Sequence, residues 1–274
     1  MKKYLPIIAI SFLCFGCPSK DNTVDPDPVE NITVSIISPT ANKILNNNVD
    51  YEFQSTTSNP VKKVEYFVDG SSIGSVIASP YNFKWTPKDV DGGEHSLTVV
   101  ATSDKNNEFK SESKFSIKLL IGDEYRGGKI FFINQDGKTG LIASKENLRD
   151  VNGYETFFWG PSNLVGTNDS DGQSNTKKMA VVSGSTYYAA YPFKNELNLN
   201  GYKDWYIPSV DELELLRDNK SIIGGFSTVF SSGLYWSSTE TSATKAYGLN
   251  FVALTGTNYE KGAFYGRVRP IRKF

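Results

Sequence analysis

Between Ile32 and Leu119 apolar residues recur at every second position, and no helical stripe interrupts them. Ile32, Val34 and Ile36 alternate in this way, as do Val64, Tyr66 and Val68. Leu97, Val99 and Ala101 repeat the pattern, followed by Phe115, Ile117 and Leu119. Residues two apart share one face of a strand, so each run carries one apolar and one polar face. Such strands become stable only by covering their apolar faces against one another. Asp69-Gly70 between two of these runs is a two-residue hairpin signal. Gly92-Gly93 opens a turn into Glu94–Ala101, and Pro80 to Trp85 adds a further strand. This punctuation predicts an antiparallel sandwich over residues 32–120.

From residue 122 to 274 the pattern changes. Gly127 to Ile133 reads as a strand, and Asp136-Gly137 turns it into a second one over Thr139–Ala143. Residues 153–184 are rich in Gly, Ser, Asn and Asp, and the stretch from Asn175 to about Leu199 carries part of a helix. GYKDWYIPSVDELELL, Gly201 to Leu216, predicts a strand over Tyr202–Ile207 that stops at Pro208. Ser209 and Glu212 then form an S-x-x-E capping box, opening a helix from about Val210 to Asn219. YWSSTE, Tyr235 to Glu240, is a second Trp-centred strand, expected to pair with or flank the first. Strands return at Tyr247–Phe251 and at Gly266–Ile271. The expectation is an α+β domain over 122–274 with helices segregated from a largely antiparallel sheet.

The N-terminus reads as an address. Lys2 and Lys3 precede an apolar run, Leu5 to Phe15, that is short for a membrane span. Gly16-Cys17 follows directly and resembles a bacterial lipobox, which implies a signal peptide over 1–16 and acylation of Cys17. An ordinary secretory signal cleaved nearby is the alternative. Acyl chains would anchor the chain to a membrane without spanning it. Residues 17–31 are polar, acidic and proline-rich, a tether with no periodicity. Lys20-Asp21 resembles the charged signal that sends some lipoproteins to the cell exterior, so an outer-membrane, surface-exposed location is expected, with a periplasm-facing one as alternative. Cys14 and Cys17 are the chain's two cysteines. No disulfide, cysteine metal site or cysteine nucleophile is therefore expected beyond the tether, and both modules depend on hydrophobic cores.

Two resemblances follow from quoted motifs. Ser35–Pro39, VEYFVDG (Val64–Gly70), SPYNFKW (Ser79–Trp85) and GEHSLTVVATS (Gly93–Ser103) resemble the bacterial immunoglobulin-like domains of surface proteins. This implies a spacer or accessory domain, with Trp85 in its core. GGKIFFINQDGKTGLIAS (Gly127–Ser144), GYKDWYIPSVDELELL, YWSSTE and VRPIR (Val268–Arg272) resemble the Lcl C-terminal domain family, named for the distal domain of a Legionella collagen-like adhesin. That resemblance implies an α+β domain similar to C-type lectin and formylglycine-generating-enzyme-like folds. In the founding adhesin it implies binding of sulphated glycans.

Chemistry-bearing residues are sparse. The single histidine, His95, stands at a turn-to-strand junction without a catalytic partner in the sequence. Residues 122–274 hold neither His nor Cys, and Asp211, Glu212 and Glu214 are explained by the dipole of the helix they open. No enzyme is expected. Arg267, Arg269, Arg272 and Lys273 form the densest basic cluster, and arginine forks suit sulphate or carboxylate groups. Pairing of these arginines with Asp204, Asp211 or Glu240 inside the fold is the competing expectation. Trp205 and Trp236 could stack on sugars or lie in the core. Asp169 and Asp171, in NDSDG, give a fragment of a calcium loop without its distal glutamate, so calcium is a candidate ligand. A net charge of −1 and the absence of any basic run speak against nucleic acid. Two functional readings result. One is an envelope lipoprotein presenting an adhesive or glycan-binding module on an Ig-like stalk. The other is a structural envelope protein whose terminal module binds an envelope or host protein, or itself.

Overall fold

The structure is a computed structural model that describes residues 29–168, 170–263 and 265–274. The signal peptide, Cys17 and the tether as far as Pro28 lie outside the described residues. Ile32–Phe274 forms one compact unit.

Its first part contains β1 (Val34–Ser38), β2 (Lys43–Asn46), β3 (Tyr51–Thr57), β4 (Lys63–Val68), β5 (Ser71–Val76), β6 (Tyr81–Trp85), β7 (Gly93–Thr102) and β8 (Glu108–Lys118). One sheet runs β1-β3-β6 and the other β2-β8-β7-β4-β5. The predicted alternation holds. Val64, Tyr66, Leu97, Val99, Ala101 and Phe53 are fully buried between the sheets. Burial of each large apolar side chain contributes about 1.5–3 kcal/mol. Asp69 and Gly70 both have positive φ, 48° and 78°, as the β4–β5 turn requires. The Asp69 carboxylate then accepts the Ser96 N–H at 2.9 Å and lies 2.6 Å from His95 Nδ1. One departure from the antiparallel expectation is β2, which pairs with β8 in parallel.

The second part follows after a short connection. It holds β9 (Glu124–Tyr125), β10 (Gly128–Ile133), β11 (Gly140–Ala143), β12 (Thr156–Phe157), α1 (Gly172–Val182), α2 (Val210–Asp218) and α3 (Lys220–Ile223). These are followed by β13 (Leu234–Glu240), β14 (Lys245–Asn250), β15 (Thr255–Glu260), β16 (Gly266–Arg267) and β17 (Ile271–Lys273). The sheets are ordered β17-β11-β10-β9 and β12-β16-β13-β14-β15, antiparallel except for the contact of β13 with β16. The capping box at α2 is present in full: Ser209 Oγ accepts the Glu212 N–H, and Glu212 accepts the Ser209 N–H at 2.9 Å. Every residue of β13 is buried.

Two expectations change here. Tyr202–Ile207 is not a ladder strand; it forms isolated bridges, Leu199 with Tyr202 and Tyr206 with Ile271. The Ile207 N–H goes to the Thr176 hydroxyl at 2.9 Å, so side chains take the place of a neighbouring strand. Arg267 and Arg269 do not share a strand face either, because residues 268–270 leave the ladder between β16 and β17.

The two parts meet in one apolar cluster: Tyr125, Ile130, Ile142 and Trp205 pack with the sandwich core. Polar contacts line the seam. Tyr125 donates its hydroxyl to Asp91 at 2.9 Å, and Arg126 pairs with the same carboxylate at 2.5 Å. The Asn48 side-chain amide donates to the Glu124 carbonyl at 2.9 Å.

Candidate functional site

Within the basic cluster at the end of the chain Arg269 and Arg272 are buried and Arg267 is half-buried, while Lys273 stays exposed. Arg269 has no exposed surface. Its Nε donates to Asn147 Oδ1 and its Nη1 to the Ser144 and Lys145 carbonyls, each at 3.0 Å. Nη2 reaches the Gly225 carbonyl, and the guanidinium lies 4.2 Å from the Phe226 ring centre. Burial lowers its pKa from the usual arginine value, and its donors are spent on fixing two loops to the sheet. Arg272 forms a bidentate pair with Asp204 at 2.7 and 2.8 Å, donates to the Arg126 carbonyl and stacks on the Tyr202 ring at 4.0 Å. Arg267 is half-buried between Glu155, at 3.3 Å, and the Ser232 carbonyl. Glu155 also receives Asn147 and Arg149. These contacts, Asn147 first, hold its carboxyl below the ordinary range against the opposing effect of burial. The pairing expected as the competing possibility is therefore realised between Arg272 and Asp204.

The tryptophans are corrected in the same sense. Trp236 is fully buried and donates its indole N–H to the Phe157 carbonyl at 2.9 Å. Trp205 is 4% exposed and donates to the Leu199 carbonyl at 3.0 Å. A ring with so little exposed surface offers no stacking platform to a sugar. Trp205 still borders a groove of about 270 Å³ shared with Gln173, Lys177, Phe193, Glu196 and Lys203. Asp171 caps α1, accepting the Ser174 N–H at 3.0 Å, while Asp169 lies outside the described residues. Among the described residues no three His, Cys, Asp or Glu side chains come together to hold a metal ion.

A buried ion pair had no sequence signal. Lys261 is fully buried, with its ammonium 2.7 Å from Glu240 Oε2. The ammonium also bonds the Asn163 carbonyl at 3.0 Å and lies 4.5 Å from the centre of the Trp159 ring. The Glu240 carboxylate accepts backbone N–H groups of Val165, Gly166 and Thr167. Burial would raise its pKa; Lys261 and these donors outweigh that and lower it. The pair thus fastens the Gly-rich loop before α1 to the end of β13.

The rings that do face solvent are others. In β12 and the residues after it Phe157 and Trp159 are buried, and Phe158 between them is half-buried. Phe158 packs against Tyr265 with ring centres 4.1 Å apart, and Tyr265 is 56% exposed. The Phe158 N–H donates to the carbonyl of Tyr187, a residue 52% exposed. Tyr265 and Tyr187 thus present exposed aromatic side chains, with Phe158 packed under Tyr265, and the Trp159 N–H bond to the Ser237 carbonyl and the Glu240–Lys261 pair fix neighbouring loops. The signal available in the sequence was aromatic residues set among turn formers, TFFWGP (Thr156–Pro161) and KGAFYG (Lys261–Gly266), away from any strand expectation.

Similar solved structures cover parts of the chain. The fibronectin(III)-like modules of Clostridium thermocellum CbhA are 25% identical, covering 32% of this chain and 98% of that one, with a TM-score of 0.29. SGBP-B of the Bacteroides ovatus mixed-linkage glucan utilization locus, in complex with a mixed-linkage heptasaccharide, is 17% identical, covering 42% and 32%, with a TM-score of 0.27. A modular endo-β-1,4-mannanase from Cellulomonas fimi is 14% identical, covering 32% and 18%, with a TM-score of 0.25. No curated protein matches the chain. No helix among the described residues is long and apolar enough to cross a membrane. The family match falls on the predicted sandwich: residues 33–99 match the bacterial Ig domain family.

Proposed function

We propose that this chain is a non-catalytic binding protein of the bacterial cell envelope, anchored by lipid on Cys17 at the outer membrane. It presents an adhesive, glycan-binding C-terminal domain beside an Ig-like domain. The observation that carries this reading is the Phe158–Tyr265 pair, whose Tyr265 ring is left in water, with the exposed Tyr187 on the segment that Phe158 bonds through its backbone, while the tryptophans and arginines named above are engaged inside the fold. Aromatic faces stack on the apolar faces of sugar rings, and tyrosine hydroxyls supply the polar contact at the edge. The Lcl-like motifs support the same assignment. Because Arg269 and Arg272 are occupied internally, the ligand favoured is a neutral glycan over a sulphated one. Nor does the reading call for a metal or a catalytic group: Glu240 and Lys261 neutralise each other, and Asp171 serves a helix end.

The test is a glycan array that includes neutral and sulphated polysaccharides, run with and without calcium on residues 32–274. Binding to neutral glycans that is lost in Tyr265→Ala and Tyr187→Ala, at unchanged melting temperature, supports the reading. Binding restricted to sulphated ligands and lost with Arg267→Ala would move the site back to the basic cluster. A blank array would end the glycan assignment.

A further inference from the structure

The connection between the sandwich and the C-terminal domain has no slack. Between β8 and β9 the Leu120 N–H goes to Asp123 Oδ2 at 2.9 Å and the Asp123 N–H to the Leu120 carbonyl at 3.1 Å. The Gly122 N–H goes to the Ile130 carbonyl in β10 at 2.8 Å. Leu119, on the sandwich side, and Tyr125, on the other, are both buried and lie in the same apolar cluster. The two backbones also come together. Gly92, the residue before β7, is buried, and a side chain there would put its first carbon 2.5 Å from the carbonyl oxygen of Gly137, between β10 and β11. Only a residue without a side chain permits so close an approach. Three residues other than glycine hold a left-handed backbone at this seam: Asn48 at φ +57°, Asp89 at +57° and Arg126 at +43°. Such conformations persist where the surroundings over-determine them, and each of these is tied across the seam. Asn48 Nδ2 donates to the Glu124 carbonyl at 2.9 Å, and the Arg126 N–H donates to Asp89 Oδ1 at 2.5 Å. The Arg126 side chain pairs with Asp91. His95, the chain's one histidine, grips the same segment from the sandwich side, with Nε2 2.8 Å from the Asp91 carbonyl.

We infer that the Ig-like domain is a permanently docked partner of the C-terminal domain, and that the two tumble and unfold as one body. Domains of one chain commonly move against each other unless an apolar contact holds them. This seam has an apolar centre at Leu119 and Tyr125, and polar bonds at Asn48, Asp89 and Asp91 around it. The Gly92–Gly137 approach fixes the spacing, because backbone cannot yield as a flexible side chain would. A jointed spacer would call for the opposite features, a loose linker and hydrated facing surfaces. The consequence is that any ligand surface on the C-terminal domain keeps a fixed orientation to the sandwich.

Amide nitrogen relaxation of residues 32–274, with calorimetry on the same protein, tests this. The expected result is one rotational correlation time shared by the amides of β7 and β13, and a single melting transition. Two separate correlation times, or two transitions, in the parent protein overturn the inference. Gly92→Leu is expected to divide the shared time into two shorter ones and to split the melt. Gly184→Leu, placed where no atom lies within 4 Å of an added side-chain carbon, is expected to do neither. A Gly92→Leu protein that tumbles and melts as the parent does also overturns the inference. Should that variant not fold, the parent's relaxation decides alone. The inference does not rest on the glycan reading, since no seam residue belongs to the Phe158–Tyr265 pair.

Discussion

The Ig-like sandwich and the C-terminal domain are built by different means from similar material. The sandwich is held by alternation: Val64, Tyr66, Leu97 and Val99 face inward because the strand period places them there, and its ion pairs, such as Lys114 with Glu94, lie at the surface. The C-terminal domain has short strands and long loops, and it holds those loops with groups that are costly to bury. Arg269 ties the loop after β11 and the loop after α3, and Lys261 with Glu240 ties the loop before α1. Where apolar area is too small to fix a loop, a satisfied buried cation supplies direction as well as energy. The consequence for function is that the charged residues most suggestive of a binding site in sequence are those the fold has already used.

This contrast can be broken most sharply at Lys261. Lys261→Met leaves the Glu240 carboxylate buried without its cation and is expected to cost about 3–5 kcal/mol in urea unfolding. Adding Glu240→Gln should restore part of that, because the isolated charge is what is penalised. A cost below about 1 kcal/mol would mean that the loop is held otherwise. In the sandwich, Leu97→Ala removes a fully buried side chain and should cost about 2–5 kcal/mol, with no dependence on its partner's charge.

Acid sharpens the comparison further. Glu155 and Glu240 in the C-terminal domain have lowered carboxyl pKa values, as has Asp69, where burial is outweighed by His95 and the Ser96 N–H. For a lowered folded-state value the unfolded chain binds more protons as pH falls, so stability is complete above the unfolded value and is lost through the folded one. Unfolding free energy should be level above about pH 5 and decline below about pH 4. The decline should be shallower in the Glu240→Gln/Lys261→Met double variant. The smallest effect is at the helix start, where Ser209→Ala should cost about 1 kcal/mol by removing one half of the capping box.

Periodicity made the sandwich legible because each residue's fate there depends on neighbours two positions away. The Asp69-Gly70 hairpin and the Ser209–Glu212 cap were legible for the same reason, being local contacts. Tyr202–Ile207 was misread as a strand because its partners, Thr176 and Ile271, are remote and one is a side chain. The same holds for the site. Arg269 reaches residues 122 to 125 positions away, so a basic cluster in the sequence says nothing about which way its forks point. Phe158 was hidden by an aromatic run in which Phe157 and Trp159 are buried and Phe158 between them is half-buried against Tyr265.

The direct test of this account is a pair of melting curves, for Arg269→Lys and Tyr265→Ala. Lysine keeps the charge but cannot reproduce the fork to Asn147, Ser144, Lys145 and Gly225. The melting temperature of Arg269→Lys is predicted to fall by about 5 °C or more, at about 2–4 °C per kcal/mol for a unit of this size. Tyr265→Ala is predicted to stay within about 2 °C of the parent, since surface substitutions rarely exceed about 0.5 kcal/mol. An Arg269→Lys curve that overlays the parent, with Tyr265→Ala strongly destabilised, would contradict it by making the arginine dispensable to the fold and the exposed ring a part of the core.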